Sequence, residues 1–266
     1  MFSVFFRLLG TLAPVEYQPT AERGSWQVRF RAPFVGALAE RPEQMGLVLF
    51  VLFMLASTTY DAIHDTEMWL NIYWKHLIML AQPLWGTDMA KAEGPLMLWY
   101  MIFKRGGLLA SPLVYFALYM LVMVWTKALT RTTMSVRTLA LEFVTTLVPI
   151  AFVYFVSHYY TMTLLEGARI PVLFTDPFGL GWNLFGVQPQ KPSYLDMGVI
   201  WHTQVALILI GHVISVYLAH SVALRVFPTR RQAILSQLPM LLLMIAYTAI
   251  GLYVLSLPLG LKELRE

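Results

Sequence analysis

The segment STTYDAIHDTEMW, Ser57–Trp69, sets Asp61, His64, Asp65 and Glu67 within seven residues, directly after the apolar run MGLVLFVLFMLA. Imidazole beside carboxylate can ligate a transition metal, pass a proton, or form a charge-assisted hydrogen bond. His158 stands inside LALEFVTTLVPIAFVYFVSHYYTMTLL, and His202, His212 and His220 stand inside MGVIWHTQVALILIGHVISVYLAHSVAL. A carboxylate within an apolar span is expensive, so Asp61 requires a partner, whether its role is functional or packing. Asp65 and Glu67 fit equally well as solvated residues at headgroup level. No HExxH, paired Glu-x-x-His, Walker A, dinucleotide-binding glycine pattern, G-x-S-x-G or nucleic-acid module is present. The chain has no cysteine, which removes disulfides, thiolate metal sites and cysteine nucleophiles.

The surroundings of these groups are those of a membrane protein. Hydrophobic residues make up 58% of the 266 and charged residues only 13%, with a mean hydropathy of +0.63. Soluble domains carry about 25% charge. The eight Trp and 13 Tyr suit the lipid–water boundary. The net charge of +4 is small and reads as topology rather than as nucleic-acid binding.

A spanning helix needs about 20 mostly apolar residues, and backbone groups in lipid must bond within their own segment. Five segments qualify: Met45–His64, Leu108–Leu129, Leu139–Leu165 with a kink at Pro149, Met197–Leu224 and Ala233–Leu259. The expectation is an all-α integral membrane bundle of about five transmembrane helices plus interfacial helices. Residues 1–44 form an N-terminal interfacial segment, and 45–266 form the transmembrane domain. The N-terminal MFSVFFRLLGTLAPVEY reads as an interfacial helix, because Arg7 interrupts it and no basic region precedes it. In the long connection 65–107, MWLNIYWKHLIMLAQPLW reads as a helix in the interface and PLMLWYMIF as too short to span. Arg41, Lys127, Arg131, Arg137, Arg225, Arg230 and Arg231 all flank one side if the helices alternate. The Lys/Arg bias makes that side cytoplasmic, with the N-terminus there and the C-terminus outside.

Under this topology His64, His158, His202 and Asp61 come to the outer face, where they would form a site for Zn, Cu or Fe. His158 and His202 also match in depth for a single b-type haem. His212, His220 and Tyr217 form a polar stripe down the fourth helix, a path for protons or ions, or bonds that hold the bundle together. The loop TDPFGLGWNLFG, Thr175–Gly186, is too apolar for a free loop. It is expected to fold back on the outer face, with Asp176 and Trp182 in a lid or a structural plug.

SHYYTMTLLEG, DPFGLGWNLFG, GHVISVYLAHSVALRVF and SQLPMLLLMIAYTAIGLYVLS together resemble a family of uncharacterised bacterial multi-span membrane proteins. The resemblance covers most of the chain after residue 45 and implies a bacterial inner-membrane location and this fold, without an activity. By position it draws attention to Asp61, His158, Asp176, Trp182, His212 and His220. Three functions follow from the residues. The first is metal handling as carrier, insertion factor or metalloenzyme. The second is a redox subunit with haem b or a quinone site. The third is a transporter or a structural subunit packed against other membrane subunits. The lipid bilayer is the common partner in all three.

Overall fold

The computed structural model describes residues 2–19, 25–64, 66–79, 89–186 and 196–256. Its elements are α1 (Phe2–Leu12), β1 (Val15–Pro19), β2 (Trp26–Phe30), α2 (Met45–Ile63), α3 (Glu67–Asn71), α4 (Met89–Thr130), α5 (Val136–Val144), α6 (Val148–Gly167), α7 (Ile170–Thr175), α8 (Met197–Val226) and α9 (Arg230–Ser256). Five helical stretches are long and apolar enough to cross a membrane, and they are the five the sequence indicates. The protein is an all-α multi-pass membrane bundle.

The second span differs from its expected extent. α4 runs for 42 residues, about 63 Å at 1.5 Å per residue, and so exceeds a hydrocarbon core of about 30 Å. PLMLWYMIF is therefore the first part of α4 and not a separate short piece. Pro95 and Pro112 lie inside α4, yet the helix continues through both. MWLNIYWKHLIMLAQPLW starts as α3 and passes into a π-helical turn at Ile72–Leu77; its end lies outside the described residues. Thr66 caps α3, its hydroxyl accepting from the Trp69 amide at 3.3 Å. The segment packs on α4 through rings: Trp69 stacks on Phe103 at 4.9 Å, and Tyr73 meets Tyr100 at 5.0 Å. The Tyr73 hydroxyl donates to the Leu96 carbonyl at 2.8 Å, and burial pushes its phenol pKa up.

Pro149 does its work one turn early. It cannot donate a backbone hydrogen bond, and the chain tightens to a 3-10 turn at Thr145–Leu147 between α5 and α6. Ser135 caps α5 by accepting from the Thr138 amide at 3.0 Å. α2 is apolar on all sides, but its buried residues Val48, Val51, Leu52, Leu55, Ala56 and Thr59 follow helical spacing and form one face.

The basic flanks meet at one end of the bundle. Arg137 reaches the Glu43 carbonyl at 3.4 Å, and Gln232 reaches the Thr130 carbonyl at 3.0 Å. Arg225 bonds the Leu38 carbonyl and Glu142, each at 2.9 Å. The hydrophobic core lies toward this end, around Leu8, Val51, Tyr119, Leu139, Val148 and Val222. β1 and β2 form a short antiparallel hairpin beside α1, with Val15 opposite Phe30. Arg31 ties the hairpin to α1 through the carbonyls of Gly10 at 2.8 Å and Ala13 at 3.1 Å.

Tyr119 shows what a core hydroxyl contributes. It is 1% exposed and donates to the Ala140 carbonyl at 2.8 Å. Tyr119→Phe removes a bond of about 1 kcal/mol net. The expected result is a Tm lowered by about 2–4 °C, read by thermal unfolding in detergent.

Candidate functional site

The site is built on the last turn of α2. Asp61 and His64 are three residues apart and share a helix face. His158 and Tyr159, consecutive on α6, approach the same carboxylate. The Tyr159 hydroxyl donates to Asp61 Oδ2 at 2.7 Å, and His158 Nε2 lies 3.0 Å from that oxygen. An ionised carboxylate only accepts, so His158 carries its proton on Nε2. Asp61 Oδ1 faces His64 Nδ1 at 3.8 Å, and that nitrogen is also 3.2 Å from the Tyr60 carbonyl. The Asp61 side chain remains 42% exposed, so the carboxylate has two fixed donors and still opens outward. The intramembrane carboxylate therefore has the partners that its depth demands.

The opening is a groove. A cavity of about 960 Å³ runs between α1, α2, α4 and α6. Its apolar wall includes Phe5, Phe53, Met54, Leu108, Phe152 and Phe155. Its polar part is formed by Asp61, His64, Lys104, Arg105 and Tyr159. On α2 it extends from Phe50 to His64, about 21 Å at 1.5 Å per residue. Met97, Tyr100 and Met101 continue it past the charged residues, so the polar belt lies under an apolar roof. The α2–α4 contact beside it depends on Gly107. A Cβ there would lie 2.6 Å from the Tyr60 hydroxyl, and Tyr60 itself donates to the Lys104 carbonyl at 2.5 Å.

The other histidines lie elsewhere. α8 packs on α6 through Gln204, whose amide donates to the Ser157 carbonyl at 2.9 Å and the Thr161 hydroxyl at 3.3 Å. His202, two residues earlier, points about 200° away from that contact. It is exposed, with Nδ1 2.7 Å from the Gly198 carbonyl. The expected His64–His158–His202 centre is thus not assembled. Asp65 lies outside the described residues, among which no group of three or more His, Asp or Glu is placed to hold a metal.

The stripe on α8 also divides. His212 is buried, Tyr217 is 61% exposed, and exposed His220 bonds Gln237 at 3.1 Å. Only His212 faces the bundle interior. There it meets a cluster that sequence reasoning missed, because tyrosine and threonine in apolar runs pass for interface or packing residues. Thr59 of α2 and Tyr247 of α9 share a hydrogen bond of 2.6 Å. The hydroxyls of Tyr115 on α4 and Tyr154 on α6 come to the same Thr59 oxygen.

The patterned loop does not fold back as expected. Phe178, Leu180, Trp182 and Phe185 are all more than half exposed. Asp176 organises the loop itself, accepting from the Leu180 amide at 2.8 Å and the Gly181 amide at 2.6 Å. Gly179 and Gly181 adopt positive φ, which only glycine takes without strain. Trp182 packs edge-on to Phe178 at 5.7 Å, so neither residue lids the Asp61 site.

No family model, curated protein or solved structure matches the chain.

Proposed function

We propose that this membrane protein binds an amphiphile with an anionic head, its tail along the apolar wall of the groove and its head at the Asp61–His158–Tyr159 end. The supporting observation is the groove: an aromatic channel long enough for an acyl chain, ending in a polar belt. Arg105 brings a cation to that belt. Among the described lining residues the one carboxylate, Asp61, already accepts from Tyr159 and His158. Arg105 therefore offers a negative head a charge-assisted partner, and a phosphate or carboxylate head with an extended acyl chain suits about 21 Å of wall. His158 is not among the residues that line the groove; it acts from α6 by fixing the Asp61 carboxylate. The metal and haem readings gain no support from this arrangement. We take the arginine-rich end as cytoplasmic on its Lys/Arg bias, which puts the groove's polar belt at the outer leaflet.

The test is native mass spectrometry of protein in neutral detergent, titrated with a phosphatidylglycerol and with a phosphatidylcholine of equal chain length. Preferential retention of the anionic lipid is expected. Arg105→Gln should reduce that retention about tenfold, equivalent to ~1.4 kcal/mol. Equal retention of both lipids, or none, would refute the proposal.

A further inference from the structure

Among the described residues three buried polar side-chain atoms lack a partner: Trp69 Nε1 on α3, and two on α8, His212 Nε2 and Ser215 Oγ. His212 is 9% exposed and Ser215 is 1% exposed. Their positions are three apart on one helix face, where Cβ atoms stand about 5–6 Å from each other. Their chemistry is complementary. His212 Nδ1 is 2.7 Å from the Ile208 carbonyl. A carbonyl only accepts, so the proton is on Nδ1, and Nε2 presents a bare lone pair. Ser215 offers a hydroxyl donor. Leaving each unpaired in the bundle interior forfeits the hydration it had in water and is destabilising.

The neighbourhood is polar as well. Tyr247 lies with its ring 6.4 Å from the His212 ring, and its hydroxyl belongs to the Thr59–Tyr115–Tyr154 cluster. Each of the five spans thus sends one polar side chain to the centre: Thr59, Tyr115, Tyr154, His212 and Tyr247. In hydrocarbon such a set persists only when its members satisfy one another or hold a ligand.

We infer that the bundle centre binds a water molecule between His212 Nε2 and Ser215 Oγ. The water donates one O–H to the imidazole lone pair and accepts the serine hydroxyl. A buried water needs two to four polar partners, and these two atoms are the minimum set. The site is separate from the groove: Thr58 lines the groove, while the neighbouring Thr59 faces the central cluster. α2 is thus the wall between a lipid-facing polar site and a hydrated interior one. The bound water also supplies His212 with an exchangeable hydrogen-bond partner that no other described side chain provides.

A double-mutant cycle tests this on full-length protein in detergent. If the site is dry, His212→Phe and Ser215→Ala each remove a buried orphan and raise or preserve Tm. If water is bound, each single variant lowers Tm by a few degrees. The double variant then falls no further than the more destabilised single, because both lose the same water. Singles that raise or keep Tm, or a double equal to the sum of both losses, would overturn the inference. Magic-angle-spinning NMR of wild-type protein with labelled histidine gives a second readout that needs no variant. A water cross-peak to His212 Nε2 is expected, and its absence overturns the site.

Discussion

Gly211→Leu is expected to prevent the bundle from assembling, with the protein lost from the monodisperse peak on size exclusion. Gly211 is where α8 comes closest to α6. A Cβ built there would stand 2.0 Å from Val153 Cγ2 and 3.0 Å from Val153 Cβ. Val153 is buried and β-branched, with one strongly preferred rotamer in a helix, so it cannot turn aside. Even Gly211→Ala forces the two helices apart, and overpacking of this kind costs about 1–3 kcal/mol. The consequence extends beyond the contact. The same pair of helices carries the Ser157–Gln204 bonds and sets the position of His158. Helix pairs in lipid gain little from hydrophobic exclusion and depend on close backbone approach. Val153→Ala in the Gly211→Ala background should recover most of the lost Tm, because it removes the atoms that collide. A Gly211→Ala protein with unchanged Tm would mean that α6 and α8 do not approach this closely.

The sequence made the spans legible because hydropathy and backbone satisfaction in lipid leave few alternatives. Asp61 does meet both His64 and His158, at 3.8 and 3.0 Å. Rotation about the helix axis was not legible. His202 lies about 200° from the Gln204 contact, and Tyr217 and His220 leave the face of His212. In an apolar-all-round helix such as α8, hydrophobicity carries no directional signal, so only packing decides which residues face inward. Gly211, Ser215, Ala219 and Ala223, four apart and all buried, were the available cue, since small residues mark the side of closest approach. The extension of α4 was obscured by Pro95 and Gly106–Gly107, which read as breakers but lie inside one continuous helix. The pairing of β1 and β2 was visible in principle, because VEYQ and WQVRF alternate on either side of the sequence TAERG. Membrane composition drew the eye past it. The loop at Thr175–Gly186 shows the converse: its turn chemistry was readable, but its apolar side chains did not imply a surface to cover.

Asp61 separates charge from geometry, and its two simplest substitutions should move amphiphile affinity in opposite directions. Asp61→Asn keeps an oxygen that can accept from both Tyr159 and His158, now bonded to Oδ2 at 2.7 and 3.0 Å. It removes a negative charge from the belt to which Arg105 brings a cation. An anionic head then loses a repulsion of about 1 kcal/mol, the value for unit charges about 4 Å apart in a water-like medium. Affinity for phosphatidylglycerol should rise about fivefold. Asp61→Ala removes the same charge together with the acceptor. Hydrogen bonds to charged groups contribute about 1.5–3 kcal/mol each, and without them His158 and Tyr159 turn to other partners and the end of the groove loses its shape. The loss of order outweighs the relief of repulsion, and affinity should fall about tenfold, or ~1.4 kcal/mol. Tyr159→Phe leaves the Asp61–His158 bond in place and should have a smaller effect than Asp61→Ala. Equal gains in affinity for Asn and Ala would show that Asp61 acts only as a charge and that the bonds from α6 do not shape the site. Equal losses would show that the carboxylate itself contacts a donor on the ligand, and the head would then be cationic or zwitterionic rather than anionic.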